Sequence, residues 1–269
     1  MVWGVLNVTP DSFSDGGRFD ALERAIAHAH AMHSQGADVI DVGGESTRPG
    51  ARRISVEEEM RRVLPVIEGI ANQGITVSID TMRSDVAAAA IAAGATLVND
   101  VSGGRADEAM HPLVAELKVP YVIMHWRGHS DRMNELAVYD DPVLQVREEI
   151  EQQVAAAVSA GIDSDRIIVD PGIGFAKESD HNWAVLKHVD AFLSLGLPIL
   201  VGASRKRFLG DLLADDAGQP RDPDGRDVAT AVLSGLLAGS VWGLRVHDVQ
   251  ATVDAIKVVG SMSGSGGAR

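Results

Sequence analysis

Eight short apolar runs recur along the chain and alternate with segments of helical spacing or composition. A strand that is covered on both faces is apolar throughout, which is the pattern of parallel sheets in α/β proteins. Alternation with helices favours the same arrangement, because parallel strands need a crossover connection between them. The predicted strands are Val2–Val8, Ala37–Val42, Ile75–Ile79, Thr96–Asn99, Tyr121–Met124, Ile167–Val169, Ile199–Gly202 and Gly243–Val246.

The segments between the runs predict helices that pack on this sheet through small and Ala-rich faces. Glycines at 36, 74, 94 and 161 precede strands and are typical of helix C-caps. Eight such units in 269 residues predict a single-domain (β/α)8 TIM barrel, with a doubly wound open sheet as the alternative. The predicted helices are Asp20–Ser34, Ser55–Asn72, Arg83–Ala92, Pro142–Ser159, Asn182–Ser194, Arg226–Ala238 and Val249–Val259.

Length, composition and charge restrict the domain organisation, the partners and the compartment that we expect for the chain. We expect one barrel domain over 1–259 and a flexible Gly/Ser-rich tail over 260–269. The longest apolar stretch, Ala231 to Leu244, is too short and too interrupted for a membrane span, and the start lacks a signal peptide's basic region. A formal charge of −14 argues against nucleic acid or an anionic membrane as partner. The absence of cysteine fits a reducing compartment. Together with the lack of a predicted membrane span or signal peptide, it predicts a cytoplasmic protein.

Polar residues end every predicted strand, at the side of a TIM barrel where active sites form. Carboxylates and amides there could read the edge of a flat heterocycle. Cations could hold a diphosphate and a ring carbonyl, and Arg245 and His247 point the same way because they are two residues apart. The strand-end residues are Asn7, Asp41, Asp80, Asn99 with Asp100, His125, Asp170, Ser204 to Lys206, and Arg245 with His247.

Each of these residues also has a purely structural interpretation. Aspartates at strand ends often cap the next helix, asparagines tolerate turn geometry, and a short basic run such as 205–207 is usually a solvated face. His247 alone would more often be a core histidine, and we interpret His125 with Trp126 as a packed strand end outside the site. Their joint placement at eight strand ends favours a ligand site.

Two long loops and five shorter motifs resemble the dihydropteroate synthase family. They occur in the family's order, and the resemblance runs from Val5 to about Lys257, nearly the whole chain. Seven motifs in order are far more specific than any one. The motifs are Asn7 to Gly17, Asp41 to Ala51, Ser78 to Thr81, Asn99 to Gly104, Asp170 to Phe175, Ser204 to Phe208, and Arg245 to Asp248.

The resemblance implies a transferase of folate biosynthesis. Family members are TIM barrels, usually homodimers, that use Mg²⁺ and join (7,8-dihydropterin-6-yl)methyl diphosphate to 4-aminobenzoate, giving 7,8-dihydropteroate and diphosphate. Their two small-molecule substrates meet at the barrel end, and sulfonamides compete with 4-aminobenzoate. The loops 9–17 and 43–51 would close over the site and exclude water.

The resemblance also implies roles for individual residues. Asn7 would help to hold Mg²⁺, and Lys206, Arg245 and Asp80 would be catalytic. Ala176 and Glu178 depart from the family's more frequent Gly and Thr, and 124–127 replaces a more usual Met-rich stretch. The pterin diphosphate would be bound by Thr47, Arg48, Asp80, Asn99, Asp170, Lys206, Arg245 and His247, and 4-aminobenzoate by Pro49, Phe175, Ser204 and Lys206.

Two other functions remain open at this point. A methyltetrahydrofolate-type pterin methyltransferase domain would share the pterin pocket but would not need diphosphate ligands, whereas Thr47, Arg48, Arg245 and His247 are all present. A catalytically silent pterin-binding paralogue would keep the pocket without turnover. The intact loops weigh against that second alternative.

Overall fold

A computed structural model of the chain describes residues 1–9, 18–46, 53–129 and 135–262. The strands are β1 (Val2–Asn7), β2 (Val39–Gly43), β3 (Val77–Asp80), β4 (Leu97–Asp100), β5 (Tyr121–Met124), β6 (Ile167–Asp170), β7 (Leu200–Val201) and β8 (Gly243–Val246). They form one parallel sheet in the order β6-β5-β4-β3-β2-β1-β8-β7. A bridge between Val169 and Ile199 joins the end of β6 to the start of β7, so the two ends of the sheet meet and a barrel results.

All eight predicted strands are therefore confirmed, each within a few residues of its predicted ends, and the open doubly wound alternative is wrong. The four predicted C-cap glycines have positive φ of 109° at Gly36, 78° at Gly74, 111° at Gly94 and 101° at Gly161. Glycine adopts this backbone conformation without steric cost, so the helix ends were readable from these residues.

The helices surround the barrel. They are α1 (Arg18–Ser34), α2 (Val56–Ala71), α3 (Ser84–Ala92), α4 (Met110–Leu117), α5 (Pro142–Ser159), α6 (Ser179–Lys187), α7 (Arg207–Leu212), α8 (Asp227–Leu237) and α9 (Val249–Met262).

Three features of the helices differ from the prediction. The single helix predicted over 182–194 is wrong: α6 ends at Lys187, and a 3₁₀ segment Val189–Leu195 follows the non-helical backbone of His188. The short helices α4 and α7 were not predicted. Helix α9 includes Gly260 to Met262, so the chain is still helical where the tail was expected to begin; residues 263–269 lie outside the described ranges.

A layer of apolar side chains fills the barrel interior. Its members, packed by Trp242, are Trp3, Val39, Leu97, Val122, Ile168 and Leu200. Side chains two positions apart on a strand share a face. The next inward position on β2 is therefore Asp41, on β4 Asn99 and on β6 Asp170, so polar groups sit above an apolar floor at the carboxyl end of the barrel.

Candidate active site

The centre of the barrel end is a hydrogen-bonded group of four residues from four strands. Arg245 Nε donates to Asp41 Oδ2 at 2.6 Å, and Arg245 Nη2 donates to Asp80 Oδ2 at 2.6 Å. Asn99 Nδ2 donates to the same Asp41 oxygen at 2.9 Å. Charge-assisted bonds of this length are strong, so the four side chains hold one another in place.

Asp41 is central to this group although the sequence did not assign it a role. It is completely buried, and its Oδ1 has no hydrogen-bond partner among the described residues. An unpaired buried carboxylate oxygen is costly, which marks it as an acceptor for a ligand. Asp41 ends an apolar run as Asp80 and Asp170 do, so its position in the sequence indicates a site residue. Within its motif, the family resemblance implied roles only for residues of the loop that follows it.

Burial raises the pKa of two carboxyl groups at the ends of β3 and β6, Asp80 and Asp170. Burial raises the pKa of Asp80 to about 7, against the opposing effect of the Arg245 guanidinium. Burial also raises the pKa of Asp170, although the Gly172 amide donates to its Oδ1 at 2.7 Å. Perturbed carboxylates in a polar pocket are a hallmark of functional sites.

Lys206 and Phe175 form a second part of the site. The Lys206 Nζ lies 4.1 Å from the centroid of the Phe175 ring, a cation–π contact. Burial, followed by the nearby charge of Arg245, lowers the pKa of Lys206 to about 8. A Cβ at Gly174 would lie 2.9 Å from Lys206 Cδ, so glycine there lets the lysine reach across the loop.

The two cations beside Lys206 in the sequence, Arg205 and Arg207, form ion pairs with aspartates. Arg205 pairs with Asp227 at 2.7 Å and Asp224 at 2.9 Å and so anchors the start of α8. The Arg207 side chain is 84% exposed and pairs with Asp211 at 3.7 Å. Of this basic run, Lys206 is the member that faces the barrel end.

Ser204 and His247 are linked directly, as two neighbours at the ends of β7 and β8 should be. Ser204 Oγ lies 2.9 Å from His247 Nδ1 and accepts the His247 backbone N–H at 3.1 Å. This contact fixes the imidazole ring beside Arg245. The structure thus brings together Asp80, Asn99, Asp170, Phe175, Ser204, Lys206, Arg245 and His247.

Asn7 ends β1 at the same rim. Its Oδ1 lies 3.8 Å, and Asp80 Oδ2 3.6 Å, from the point that a Cβ on Gly43 would occupy. The atom nearest to that point is Asp80 Cβ at 3.5 Å, so Gly43 lies in close contact with the ends of β1 and β3. Within the described ranges, no three His, Asp or Glu side chains form a metal-binding cluster.

Thr47, Arg48 and Pro49 lie outside the described residues, but the two flanks of their loop are tied together. Glu45 Oε2 accepts the Ile54 N–H at 2.9 Å and Arg83 Nη2 at 2.9 Å. Arg83 Nη2 also donates to the Ile54 carbonyl at 2.7 Å, and Arg83 pairs with buried Glu59. The loop therefore leaves and re-enters the fold at one fixed point beside β2 and β3.

Comparison with known proteins agrees with this geometry. The model of a family described as pterin binding enzyme matches residues 3–247. A dihydropteroate synthase of Mycobacterium leprae is 56% identical over 263 residues, covering 97% of this chain and 93% of that protein. The chain belongs to the dihydropteroate synthase family. Identity at this level over nearly the whole length leaves the fold and the enzyme class in no doubt.

Solved structures of dihydropteroate synthases have the same fold. One from Yersinia pestis, in a complex with a sulfonamide drug, matches with a TM-score of 0.89 and 37% identity over 98% of this chain and 94% of that one. One from Xanthomonas albilineans, in complex with 7,8-dihydropteroate, matches with a TM-score of 0.84 and 41% identity over 97% and 93%. No helix in the described parts of the present chain is long and apolar enough to cross a membrane.

Proposed function

We propose that this chain condenses (7,8-dihydropterin-6-yl)methyl diphosphate with 4-aminobenzoate to give 7,8-dihydropteroate and diphosphate. One observation carries the proposal: Arg245 bridges two carboxylates of the barrel centre, beside buried Asn99 and Asp170 and within the same rim as the Phe175–Lys206 pair. Side chains that could bind an amino-heterocycle, a leaving anion and an aromatic amine therefore lie at the same end of the barrel. The complex of a homologous synthase with 7,8-dihydropteroate supports it.

The pterin would lie over the apolar floor. Asn99 both donates and accepts, and the unpaired Oδ1 of Asp41 would accept, which together with Asp170 matches the donors of an aminopyrimidine edge. Lys206 would donate to the ring carbonyl. These contacts would position the methylene group beneath the entering amine.

The reaction develops opposite charges a few ångströms apart when the C–O bond breaks. The electron pair leaves with the diphosphate, which Arg245 and His247 would receive, and neither carboxylate bond of Arg245 uses its Nη1. Asp80 and Asp170 would stabilise the positive charge on the pterin methylene. Fixed charges in a buried site do this without reorganisation, and this is the main source of acceleration that we expect.

4-Aminobenzoate would stack on Phe175 with Lys206 and Ser204 beside it. Its amine attacks the methylene carbon and then loses a proton, so the protein needs no nucleophile of its own. This agrees with a chain that contains no cysteine. Arg245 and Lys206 accelerate the reaction through charge and position.

We further propose that Mg²⁺ binds with the diphosphate at Asn7. A single neutral oxygen ligand suits Mg²⁺, which keeps several waters and binds mainly through substrate phosphates. Asn7 pairs with Gly43, which pairs with Asp80, so the Asn7 Oδ1 lies at the rim where the diphosphate would bind. Bound there, the ion would neutralise charge on the leaving diphosphate.

We also propose that two copies associate as a homodimer. Three apolar side chains on α8, at positions 228, 232 and 236, form one exposed stripe, and Val258 and Met262 extend it on α9. The two helices pack closely, since a Cβ on Gly235 would lie 3.1 Å from the Ala255 carbonyl oxygen. A continuous apolar face of this kind suits a second copy of the chain.

The decisive assay incubates the protein with the pterin diphosphate, 4-aminobenzoate and Mg²⁺ and measures diphosphate and dihydropteroate. Turnover would exclude a silent paralogue, and pterin binding without product would contradict the proposal. A methyltransferase domain would instead bind a methylated folate and ignore diphosphate, which the Arg245–His247 pair disfavours.

Lys206→Ala tests the site itself. We expect kcat/KM to fall by about 10²-fold or more, because a charged contact to both substrates is lost. Lys187→Ala, which removes an exposed lysine from α6, should leave the rate unchanged. Circular dichroism and thermal unfolding of both variants would show that the fold is retained. Near-normal turnover of Lys206→Ala would remove Lys206 from the mechanism.

A further inference from the structure

A second lysine is buried close to the site, and nothing in the proposed reaction uses it. Lys177 is only 9% exposed. Its Nζ lies 2.8 Å from His125 Nδ1 and donates to the carbonyl oxygens of Gly172 at 3.1 Å and Phe175 at 3.2 Å. Burial lowers the pKa of Lys177 to about 7, and the charge of Asp170 opposes that shift. When protonated, the ammonium group has three N–H donors, and the three acceptors match them.

His125 connects this lysine to helix α5. Its Nε2 lies 2.9 Å from Glu149 Oε2, and Glu149 is paired with Arg127 at 2.5 Å. Burial, followed by the charge of Lys177, lowers the pKa of His125 to about 3, so the ring is neutral. The Nε2–H therefore donates to Glu149, and Nδ1 is left to accept from Lys177.

Arg127 completes the support on its other side. Its Nη1 donates to the carbonyls of Leu136 at 2.9 Å and Val138 at 2.8 Å, and its Cζ lies 3.8 Å from the ring centroid of Tyr139. The Tyr139 hydroxyl donates to the Ala176 carbonyl at 2.9 Å. Lys177 and Tyr139 thus hold neighbouring carbonyls of a single loop from the same buried network.

That loop, residues 171–178, joins β6 to α6, contains Lys177 and presents Phe175 to the site. Three of its residues have left-handed backbone, with φ of 68° at Gly172, 80° at Gly174 and 46° at Ala176. The Gly172 carbonyl also accepts the Phe175 backbone N–H at 3.0 Å, which closes a turn around Gly174, and a buried carbonyl is stabilised by each donor that it accepts from. Lys177 supplies such a donor at two points.

We propose that Lys177 is a positioning residue for 4-aminobenzoate: by tying the carbonyls of Gly172 and Phe175 to His125, it holds the Phe175 ring where the substrate stacks. The inference deepens the proposed function and rests on it. The position of Asp170 depends less on this bond, since its backbone belongs to β6, pairs with Met124, and accepts the His125 N–H through its carbonyl oxygen at 2.8 Å. The charge of Lys177 also opposes the burial that raises the pKa of Asp170, but the Gly172 N–H, Lys206 and Arg245 oppose it more strongly. Loss of Lys177 should therefore affect one substrate more than the other.

Steady-state kinetics of Lys177→Met test this selectivity, with Lys187→Met as the matched control on the exposed face of α6. Methionine keeps the length and the apolar stem but cannot donate. We expect the KM for 4-aminobenzoate to rise about tenfold or more, while the KM for the pterin diphosphate stays within about threefold. A purely structural lysine would lower the melting temperature and leave both KM values of the folded enzyme unchanged, and that result would overturn the proposal.

The absence of cysteine from the chain permits a chemical rescue. Lys177→Cys can be alkylated with 2-bromoethylamine in denaturant and refolded, which restores an ammonium at nearly the original reach, with the wild-type protein treated in parallel. Recovery of the 4-aminobenzoate KM to within about threefold of wild type supports the role. Recovery of thermal stability without recovery of KM contradicts it.

The same variants answer the question if the wild-type protein catalyses no reaction. Calorimetry would then measure 4-aminobenzoate binding with the unreactive 6-hydroxymethyl-7,8-dihydropterin present. Binding that weakens in Lys177→Met but not in Lys187→Met supports the positioning role although the proposed chemistry has failed. Equal binding to all three proteins rejects the role of Lys177, and no binding to any of them rejects both proposals.

Discussion

At the scale of single residues, the proposed mechanism requires opposite charges on Asp80 and Lys206, although their pKa values lie close together. Burial raises the pKa of Asp80 to about 7 and lowers the pKa of Lys206 to about 8. Both shifts have the same origin, since burial disfavours the charged form of each group. Arg245 opposes the first shift and adds to the second, so its guanidinium influences the charge of both residues.

These values predict a bell-shaped pH profile for kcat/KM of the pterin diphosphate. Asp80 is protonated below about pH 7, so activity should rise as the pH increases through that value; Lys206 loses its proton above about pH 8, so activity should then fall. The parameter kcat/KM reports the free enzyme, which is the state described by these pKa values. Because the groups interact, the two limbs belong to the pair.

Variants assign the limbs of this profile. Asp80→Asn should abolish the acidic limb and Lys206→Met the basic limb, each at a lower overall rate. Fixed-time assays of product formation between pH 5.5 and 9.5, at constant ionic strength, would measure the pH profiles of both variants. Two unchanged limbs in both variants would mean that the substrates titrate instead.

At the scale of elements, the loop after β6 shows strain that a substitution can relieve. Ala176 has a φ of 46°, where a Cβ is unfavourable by about 1–2 kcal/mol. Ala176→Gly should therefore raise the free energy of unfolding by about 0.5–1 kcal/mol, after the greater freedom of glycine in the unfolded chain is included. Urea denaturation would measure the change.

Ala156→Gly is the matched control with the opposite sign. Ala156 is exposed within α5, so glycine there should lower the free energy of unfolding by about 1 kcal/mol. Destabilisation by Ala176→Gly would mean that the loop does not adopt this backbone in solution.

The strands were predictable from the sequence, whereas one helix break and two short helices were not. Strands were predictable because burial on both faces leaves an unbroken apolar run, and the strand-end rule then located Asp80, Asn99 and Asp170. The break of the helix at His188 was not predictable, because the apolar spacing continues through the 3₁₀ segment. Helices α4 and α7 are too short for a periodic signal.

Long-range pairing explains what else the sequence could not reveal about the site. Nothing in the sequence around Asp41 and Asp80 indicates that both bond to Arg245, more than 160 residues away. His125 was correctly expected to be a packed strand end, yet its bond to Lys177 depends on the coiling of a loop across the barrel rim. Thr47, Arg48 and Pro49 stay predictions, because they lie outside the described residues.

At the scale of the whole molecule, the proposed homodimer would have to overcome a formal charge of −14 on each copy. Like charges repel over a Debye length of about 10 Å at 0.1 M salt, so added salt should strengthen the dimer. In the proposed dimer the apolar stripe on α8 would supply the attraction, since Val228 is 77%, Val232 56% and Leu236 67% exposed in the single chain. Sedimentation velocity at two salt concentrations would measure both effects.

Val232→Asp tests this face most directly. A two-fold interface presents the same patch twice, so the substitution buries two carboxylates near each other, and like-charge contacts at an interface cost several kcal/mol. We expect the mass measured by light scattering to fall from that of two chains to that of one at micromolar protein. Val138→Asp, at an apolar side chain that is 75% exposed elsewhere on the surface, should leave the mass unchanged. A dimer that survives Val232→Asp would place the interface on a different face, and a monomeric wild-type protein would refute the dimer altogether.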